Sequence, residues 1–467
     1  MKKVVLLILL AGLTAQAQVT VDSLQFGRFG KVMLYSQTAK PSRVIIFVSG
    51  DGGWNLGVVD MAKEVASQNA LVAGIDIIHY LKQLDNSPEP CSYPAADFEA
   101  LSQYMQKKLD LPEYIMPILI GYSSGATLVY AILAQAPPNT FAAAISMGFC
   151  PDLPVTKPFC KGSGLSFEKG PKGKGYNFLP TNTLTEPWIA FQGLIDQVCN
   201  AKDVDNFVKK VKNAELVQLP KVGHGFAVYR NWMPQFRQTL KRISTLTDTA
   251  SAVSNDPSPV SIKDLPLVEL PPSGPNVDLM AVIVSGDGGW ANIDRTMGEY
   301  FASQGIPVVG LNSLKYFWKR RTPDSAAIDL ERIIDHYKSL WKKDRVLLVG
   351  YSRGADVLPF MANRLPENVK KDVIGVALLG LEDSVDFQFH LSDWLGGGSS
   401  KNALPVKPEV DKLKGMNVLC FYGRDEDNSL CLRLDTTRVK AIATKGGHHF
   451  GGDYNSIART IIDYVGR

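Results

Sequence analysis

Two serines occur in the pattern Gly-x-Ser-x-Gly, which can expose a serine hydroxyl as a nucleophile. Ser123 lies within residues 121–125 and Ser352 within residues 350–354. Each pattern follows a short apolar run typical of a buried strand and precedes a run of helix-forming residues. A serine at such a turn lies at a helix N-terminus, where free backbone N–H groups favour developing negative charge. The two patterns therefore predict acyl-transfer chemistry at both serines.

A nucleophilic serine needs a histidine as its base and an acid that orients the histidine. In a chain with this kind of serine turn, the order along the sequence is serine, acid, histidine. Asp196 follows a strand-like run, and His224 lies in a glycine-flanked loop. The first half of the chain therefore offers Ser123, Asp196 and His224 as a complete triad.

The second half offers Ser352 and His448, but its acid has three adjacent candidates. The candidates are Asp425, Glu426 and Asp427. When the glycine that begins this turn is aligned with its counterpart in the first half, the second or third candidate falls nearest to the position of Asp196. Of these two we favour Asp427.

Negative charge on the substrate oxygen in the transition state needs hydrogen-bond donors. One donor is expected to be the backbone N–H that follows each nucleophile, on Ser124 or Arg353. The second is expected from a glycine-rich loop after an early strand, where Gly52 and Gly288 stand. This loop reads Gly-Asp-Gly-Gly-Trp in both halves.

The motifs recur in the same order, so the chain contains an internal duplication. Within each half, strand-like and helix-like runs alternate, which predicts a mostly parallel sheet covered by helices. We expect domains at residues 18–246 and 265–467, joined by a linker rich in Ser, Pro, Asp and Thr at residues 247–264. Residues 265–270 are a candidate edge strand of the second domain.

The amino terminus has the organisation of a secretory signal peptide at residues 1–17. Met1-Lys2-Lys3 is positively charged, an apolar run follows, and Ala15-Gln16-Ala17 is a small-x-small cleavage site. That apolar run is about half of the roughly 20 residues that a helix needs to span a bilayer. We therefore expect an exported protein in a compartment where thiols oxidise.

The six cysteines are then expected to form disulfides. The second domain holds only Cys420 and Cys431, so these two must pair. The first domain holds four cysteines, which allow three connectivities that the sequence leaves open. They are Cys91, Cys150, Cys160 and Cys199. Neither a Cys-x-x-Cys nor a His-x-x-x-His spacing occurs in the sequence, and we expect no metal and no cofactor.

The charge of the chain argues against one class of partner. The sequence has 50 Lys and Arg against 46 Asp and Glu, a formal net charge of +4. General nucleic-acid binding needs an excess of cations to neutralise phosphates. We therefore expect no nucleic-acid partner.

At these residues the chain resembles the VirJ/AcvB family of bacterial virulence-associated proteins. The most specific matches in the second half are Val284–Trp290, Ser313–Trp318 with Arg321-Thr322-Pro323, Gly350–Asp356 and the stretch from Cys420 to Cys431. The first half is similar to the amino-terminal half of the longer AcvB-type members at Gly193–Cys199 and Val222–Phe226. The resemblance implies two tandem α/β-hydrolase domains, a periplasmic location and hydrolysis of lysyl-phosphatidylglycerol. Some members are also linked to components of type IV secretion.

The residues are compatible with that implied substrate. A serine triad can cleave the aminoacyl ester of lysyl-phosphatidylglycerol through an acyl-enzyme. The segment 315–321 is basic and aromatic, so Lys315 and Trp318 are candidates to rest on an anionic phospholipid surface. Asp287 or Asp356 would meet the lysyl ammonium. The alternatives are a solvated segment with buried aromatics and, for Asp356, support of the helix or the serine turn.

Two other functions remain open. The sites could act on other esters or on peptides, because a triad determines the reaction class and not the substrate. The protein could also be a non-catalytic periplasmic accessory of secretion. The second serine motif continues with Ala355-Asp356 where the first has Ala126-Thr127, so the two sites need not share a substrate.

Overall fold

The computed structural model describes residues 18–249, 261–290, 292–390 and 401–466. The predicted signal peptide and residues 250–260 of the predicted linker lie outside the described residues. Two large sheets, one from each half of the chain, organise the described part of the fold. No helix in these ranges is long and apolar enough to cross a membrane.

The first half forms an eight-stranded sheet in the order β1-β2-β4-β3-β5-β6-β10-β11, with a small antiparallel sheet β7-β9-β8 beside it. Its strands are β1 (Thr20–Phe26), β2 (Gly30–Ser36), β3 (Arg43–Val48), β4 (Ala70–Ile75), β5 (Ile118–Tyr122), β6 (Ala143–Met147), β7 (Asp152–Leu153), β8 (Phe167–Lys169), β9 (Tyr176–Phe178), β10 (Trp188–Gly193) and β11 (Ala214–Leu219). Its helices are α1 (Leu56–Ala66), α2 (Ile77–Asp85), α3 (Pro94–Lys108), α4 (Ser124–Gln135), α5 (Ala201–Val208) and α6 (Met233–Thr249). Strands β1 and β2 are antiparallel to their neighbours, and the strands from β4 to β11 pair in parallel.

The second half forms a seven-stranded sheet in the order β12-β14-β13-β15-β16-β19-β20, with a two-stranded ladder β17-β18 beside it. Its strands are β12 (Leu267–Leu270), β13 (Met280–Val284), β14 (Val308–Leu311), β15 (Val346–Tyr351), β16 (Val373–Leu379), β17 (Ser384–Val385), β18 (Leu404–Pro405), β19 (Asn417–Gly423) and β20 (Val439–Thr444). Its helices are α7 (Asn292–Ser303), α8 (Ser313–Tyr316), α9 (Pro323–Trp341), α10 (Arg353–Asn363), α11 (Glu367–Lys370), α12 (Lys407–Val410) and α13 (Tyr454–Val465).

The second sheet repeats the first from its second strand onward. In both, one antiparallel edge region precedes a run of parallel strands whose connections carry helices. This strand order is that of the α/β-hydrolase fold, so the prediction of two tandem α/β-hydrolase domains is confirmed. The candidate edge strand at residues 265–270 is also confirmed, as β12.

The parallel strands are apolar runs because both of their faces are covered. In β3, Val44, Ile46 and Val48 pack into one core cluster, whereas Ile45 and Phe47 pack into the cluster on the other face of the sheet. Each domain therefore has a central sheet between two apolar layers, and the loops at the strand ends are left to carry polar residues.

The tryptophan that ends each glycine-rich loop lies across the neighbouring strand. A Cβ atom on Gly74 of β4 would lie 2.0 Å from Trp54 Cζ2, and one on Gly310 of β14 would lie 2.0 Å from Trp290 Cζ3. Only glycine leaves room for the indole at these strand positions. The packed indole fixes the loop against the sheet edge from which the catalytic serine also rises.

The basic and aromatic segment at residues 315–321 lies between the two halves. Trp318 donates a hydrogen bond from Nε1 to the Leu111 carbonyl (2.9 Å), and its ring lies 5.3 Å from that of Tyr114. Lys107 of α3 donates to the Trp318 carbonyl at 2.7 Å. Burial lowers the pKa of Lys315, against the opposing charge of Glu113 in the first half.

These contacts correct the expectation that Lys315 and Trp318 rest on a lipid surface. The side chains of Tyr316, Phe317 and Trp318 are buried. Trp318 packs the second domain against Tyr114 of the first, whereas Tyr316 and Phe317 belong to the core of the second domain. The alternative in which the aromatics of this segment are buried is the one that the structure supports.

All six cysteines form disulfides. The predicted pair Cys420–Cys431 is confirmed. In the first domain, the connectivity that the sequence left open is Cys91–Cys160 and Cys150–Cys199.

Candidate active sites

Both serine patterns form a strained turn between a strand and a helix. Ser123 has φ 56° and ψ −123°, and Ser352 has φ 52° and ψ −123°. Non-glycine residues adopt this region only where the surrounding structure imposes it. A Cβ atom on Gly121 would lie 2.0 Å from the Gly125 carbonyl oxygen, which explains the glycine at that position.

The structure brings the three residues predicted for the first triad into a chain of hydrogen bonds. Ser123 Oγ lies 2.9 Å from His224 Nε2, and His224 Nδ1 lies 2.9 Å from Asp196 Oδ2. The Asp196 side chain is fully buried. In this arrangement the imidazole can take the serine proton while the carboxylate stabilises the imidazolium that forms.

The Asp196 carboxylate is held by the turn in which it lies. Its Oδ1 accepts backbone N–H bonds from Val198 (2.8 Å) and Cys199 (3.0 Å), and its Oδ2 also accepts from Gln192 Nε2 (3.2 Å). Burial is the largest influence on the pKa of Asp196 and would raise it. The bonds from Cys199, His224 and Val198 together outweigh burial, so the pKa lies below its usual value and the acid stays ionised.

The disulfide Cys150–Cys199 closes this turn against the loop that follows β6. Cys199 donates its N–H to Asp196, and the same loop contributes Gly148, which lies under the histidine. A Cβ atom on Gly148 would be 3.2 Å from His224 Cε1. Neither the role of this glycine nor that of the disulfide was predicted, because both depend on contacts between distant parts of the sequence.

Asp196, Cys199 and His224 lie close enough together to resemble a metal-binding group. The sulfur of Cys199 is bonded to Cys150, however, so it is no ligand. The hydrogen bonds of Asp196 and His224 instead connect them to the nucleophile.

The N-terminus of α4 supplies backbone donors next to the first nucleophile. In the described part of the chain, the N–H groups of Ser124 and Gly52 donate to no other protein group. The glycine-rich loop comes nearest to the serine at Gly50, where a Cβ atom would lie 2.9 Å from Ser123 Cβ. A Cβ atom on Gly52 would meet nothing within 4 Å, and the role of the Gly52 N–H as the second oxyanion donor stays a prediction.

The glycine-rich loop of the second domain has the same geometry, and the role of Gly288 likewise stays a prediction. There a Cβ atom on Gly286 would lie 3.4 Å from Ser352 Cβ, whereas one on Gly288 would meet nothing within 4 Å. Gly286 is the counterpart of Gly50 in the repeated motif. Both are the first glycine after the preceding strand, a signal that is visible in the sequence.

The acid of the second site is Glu426, and the preference for Asp427 was wrong. Glu426 Oε1 lies 2.8 Å from His448 Nδ1, and its Oε2 accepts the backbone N–H of Gly423 at 2.7 Å. Asp427 is exposed, as is Asp425, the third candidate. The turn after β19 therefore selects the residue three positions after its glycine, as it does for Asp196 in the first domain.

The second nucleophile differs from the first in its contact with the catalytic histidine. No hydrogen bond joins Ser352 Oγ to His448 among the residues that the structure describes. His449, the adjacent alternative, lies 3.0 Å from the Tyr351 hydroxyl through its Nδ1, and burial lowers its pKa. His448 remains the candidate base, because it has the acid partner and catalytic hydrogen bonds often tighten only when substrate binds.

Asp287, a predicted contact for the lysyl ammonium, is occupied by an ion pair. Arg353 Nε donates to Asp287 Oδ1, and the same buried guanidinium also donates to the carbonyls of Asp386 (2.6 Å) and Gln388 (3.2 Å). The side chain after the second nucleophile thus ties the glycine-rich loop to the loop after β17. The Asp287 carboxylate is paired with this arginine, which corrects its proposed role with an ammonium.

Asp356, the other predicted contact, is buried beneath the site. Its Oδ1 accepts the backbone N–H of Glu382 at 2.8 Å, and burial raises its pKa well above the usual value. Thr127 has the same position in the first domain, where its Oγ1 donates to the Cys150 carbonyl at 2.5 Å. Asp356 is therefore a positioning residue for the loop after β16, a role that differs both from the ammonium contact and from support of the helix or the serine turn.

The carboxylate that this loop presents is Glu382, which sequence reasoning missed. Its side chain is exposed. Loss of solvation at its carboxylate raises its pKa most, His448 lowers it, and the charge of Asp287 raises it again. Glu382 follows Gly380 by two residues, and a Cβ atom on Gly380 would lie 2.7 Å from His448 Cε1, so the loop that carries Glu382 lies against the second catalytic histidine. An alignment with the first domain, which has Cys150 here, would have indicated a position that differs between the two sites.

Several solved structures of esterases and hydrolases are similar to about half of this chain. The esterase domain of a Rhodothermus marinus protein is 14% identical, and the likeness covers 48% of this chain and 97% of that one with a TM-score of 0.32. Est1E from Butyrivibrio proteoclasticus is 14% identical over 48% of this chain and 99% of its own, with a TM-score of 0.33. XC6422 from Xanthomonas campestris, an α/β serine hydrolase without a lid, is 16% identical over 49% and 95%, with a TM-score of 0.32.

A comparison with curated proteins found no match. In contrast, the family described as "Bacterial virulence protein (VirJ)" matches residues 42–149 and 278–467, which is more than half of the chain. These ranges include both serine turns and the whole of the second triad. The chain belongs to the VirJ family of bacterial virulence proteins.

Proposed function

We propose that this protein is a periplasmic serine esterase whose second site hydrolyses the aminoacyl ester of lysyl-phosphatidylglycerol. The observation that carries the proposal of a serine esterase is the chain of hydrogen bonds from Ser123 through His224 to Asp196. The second domain repeats the same turn and the same histidine, with Glu426 as its acid.

The reaction at each site is an acyl transfer in two steps. The serine Oγ attacks the ester carbonyl carbon while the histidine Nε2 takes its proton. The negative oxygen is stabilised by backbone N–H groups at the start of α4 or α10. The alcohol then leaves with the proton from the histidine, and a water molecule, deprotonated by the same histidine, releases the acid and restores the serine.

The charge around the second site supports a cationic acyl group. Glu382 is carried by the loop whose Gly380 lies against the His448 ring, and the acid turn adds the exposed carboxylates of Asp425 and Asp427. At the corresponding positions the first domain has Cys150, Ile195 and Gln197, none of which carries a negative charge. The two ammonium groups of a lysyl group would offset the repulsion between these neighbouring carboxylates.

The location of the substrate is compatible with the disulfides. Three disulfides indicate an oxidising compartment, such as the periplasm, on whose side of the membrane the ester headgroup would be reached. Because Trp318 is packed between the domains, membrane contact would have to use other residues, of which the exposed Lys319 and Arg320 are the nearest in sequence.

Release of lysine from vesicles that contain lysyl-phosphatidylglycerol tests the proposal. The mature chain, Ser123→Ala, Ser352→Ala and the double variant should be compared at equal concentration. We expect Ser352→Ala to abolish lysine release and Ser123→Ala to retain it. If the unmodified protein releases no lysine but hydrolyses simple esters, the lipid substrate is refuted. If it does neither, the accessory role is favoured over catalysis, and if the double variant stays active, neither serine is the nucleophile.

A further inference from the structure

Exposed aliphatic side chains are concentrated around the first triad. Five of them lie on the segments that carry the triad or the glycine-rich loop, and a sixth lies on α2, next to that loop. They are Leu56, Ile78, Leu194, Ile195, Val198 and Val228, which we call the apolar rim. Single exposed aliphatic residues are ordinary on protein surfaces, whereas a group of them around a nucleophile indicates a binding surface.

The chain itself ties the apolar rim to the catalytic groups. Ile195 directly precedes Asp196, and Val198 donates its N–H to the Asp196 carboxylate over 2.8 Å. Ile78 reaches the glycine-rich loop, since a Cβ atom on Gly53 would lie 3.5 Å from its Cδ1. These side chains therefore lie on the acid turn and next to the glycine-rich loop.

The two remaining members complete the apolar rim. Leu56 begins α1 directly after the glycine-rich loop, and Val228 follows His224 by four residues. Leu56 is 83% exposed and has φ 41°, a left-handed conformation that leucine rarely adopts. The fold accepts this strain at a position where the apolar side chain covers no part of the core.

The second domain shows that the fold does not require the apolar rim. The aligned motifs place polar residues or glycine at five of the six positions. These residues are Asn292, Arg424, Asp425, Asn428 and Gly452. The sixth counterpart, Leu314, is buried in a cluster with Trp318 and Phe389. The two domains thus have the same fold and equivalent triads. The positions near the triad are apolar in the first domain and mostly polar or charged in the second.

We propose that the first site hydrolyses esters that carry an apolar acyl chain, and that the apolar rim binds that chain. This activity goes beyond the proposed hydrolysis of a cationic aminoacyl ester at the second site, and it rests on the proposed role of Ser123 as a nucleophile. Burial of the chain against the rim removes apolar surface of both partners from water, which favours binding in proportion to chain length.

The step at the first site balances as an ester hydrolysis. A bond forms between Ser123 Oγ and the acyl carbon, and the bond from that carbon to the alcohol oxygen breaks. The Oγ proton passes through His224 Nε2 to the leaving alcohol. Water then adds to the acyl carbon while His224 takes its proton, and the bond from that carbon to Ser123 Oγ breaks. The proton passes from His224 to Ser123 Oγ, so that one alcohol and one fatty acid have been released and the serine is restored.

The test uses the full mature chain carrying Ser352→Ala, in which only the first site can act. 4-Nitrophenyl acetate, butyrate and octanoate are compared as monomers in solution. Because each buried CH₂ favours binding by roughly a factor of four, we expect kcat/KM to rise by about tenfold or more from acetate to octanoate. Adding Leu56→Ser and Val228→Ser should lower the ratio of octanoate to acetate by about tenfold. Ile328→Ser, a change of an exposed aliphatic residue on α9, should leave that ratio unchanged.

A ratio that does not rise with chain length, or that survives the two rim substitutions, would overturn the proposal. Binding of neutral phosphatidylcholine vesicles that depends on Leu56 and Val228, without any chain-length preference, would assign the rim to a bilayer surface and would also overturn it. Labelling of Ser123 by a fluorophosphonate separates the two proposals. Labelling with no chain-length preference refutes only the acyl-chain site, whereas no labelling and no hydrolysis refutes the esterase itself.

Discussion

Glu426 Oε1 lies 2.8 Å from His448 Nδ1, so the second triad has a glutamate where the first has Asp196. The longer side chain is anchored through its other oxygen to the backbone N–H of Gly423. Two acids of different length thus reach equivalent histidines from the same position of the same turn. The Gly423 anchor explains how the extra methylene group is accommodated.

Replacement of this acid separates the two neighbouring candidates. Glu426→Gln should lower turnover of a lysyl ester by about 10³-fold or more in a Ser123→Ala background, because the imidazolium loses its counter-charge. Asp427→Asn is the matched control and should change turnover by less than about threefold, because Asp427 is exposed and makes no bond to His448. Equal losses in the two variants would contradict the assignment of Glu426.

Glu382 is predicted to determine the preference for a cationic acyl group. Glu382→Gln should lower the ratio of kcat/KM for a lysyl ester to that for an alanyl ester by about threefold to tenfold, mainly through KM. Asp356→Asn should keep that ratio, because an asparagine oxygen can still accept the Glu382 N–H. The two ratios are measured on the same lipid or glycerol ester. A drop in Asp356→Asn alone would return the ammonium contact to the buried aspartate.

The disulfide Cys150–Cys199 is predicted to support the first site only. Cys150→Ser with Cys199→Ser should lower hydrolysis of a simple ester by Ser123 by about tenfold or more, because Cys199 holds the Asp196 carboxylate through its N–H. Turnover at Ser352 should not change. The pair Cys91→Ser with Cys160→Ser removes the other disulfide of this domain and provides the control. A similar loss in both pairs would point to general destabilisation instead.

Asp196 is predicted to couple stability to pH in the acid range. Its pKa in the folded protein lies below its unfolded value, which is about 3.9 for an aspartate. Its ionised form therefore stabilises the fold above that unfolded value, and this contribution disappears as the pH falls through the folded pKa. Urea unfolding from about pH 6 to about pH 3 should show a steeper loss of stability in the unmodified protein than in Asp196→Asn. Parallel curves would contradict this prediction.

Much of the architecture could be predicted because the sequence repeats itself. The strand-like runs before Ser123 and Ser352 and the order of the motifs are local signals, and they indicated two α/β-hydrolase domains. The first triad could also be predicted, since Asp196 is the one acid in its turn. Glu426 could not be identified from the sequence, because three adjacent carboxylates stand in its turn. Only the folded chain, in which Glu426 accepts the Gly423 N–H, distinguishes it from the other two.

The remaining differences arise from tertiary contacts. Composition alone describes Lys315 and Trp318 as suited to a membrane, whereas packing against Tyr114 places that aromatic surface between the domains. Likewise, the charge of Asp287 is visible in the sequence, but its ion pair with Arg353 is not. Exposure of the apolar rim is a property of the folded chain and has no local signature.

The most direct test of the central claim is to identify the residues that react with a fluorophosphonate. The unmodified mature protein should gain two adducts by intact mass, located by peptide mapping at Ser123 and Ser352. Ser123→Ala and Ser352→Ala should each lose the adduct at the substituted position and keep the other. An unmodified mass after prolonged exposure, with the protein folded, would contradict the claim that these serines are the nucleophiles of an esterase.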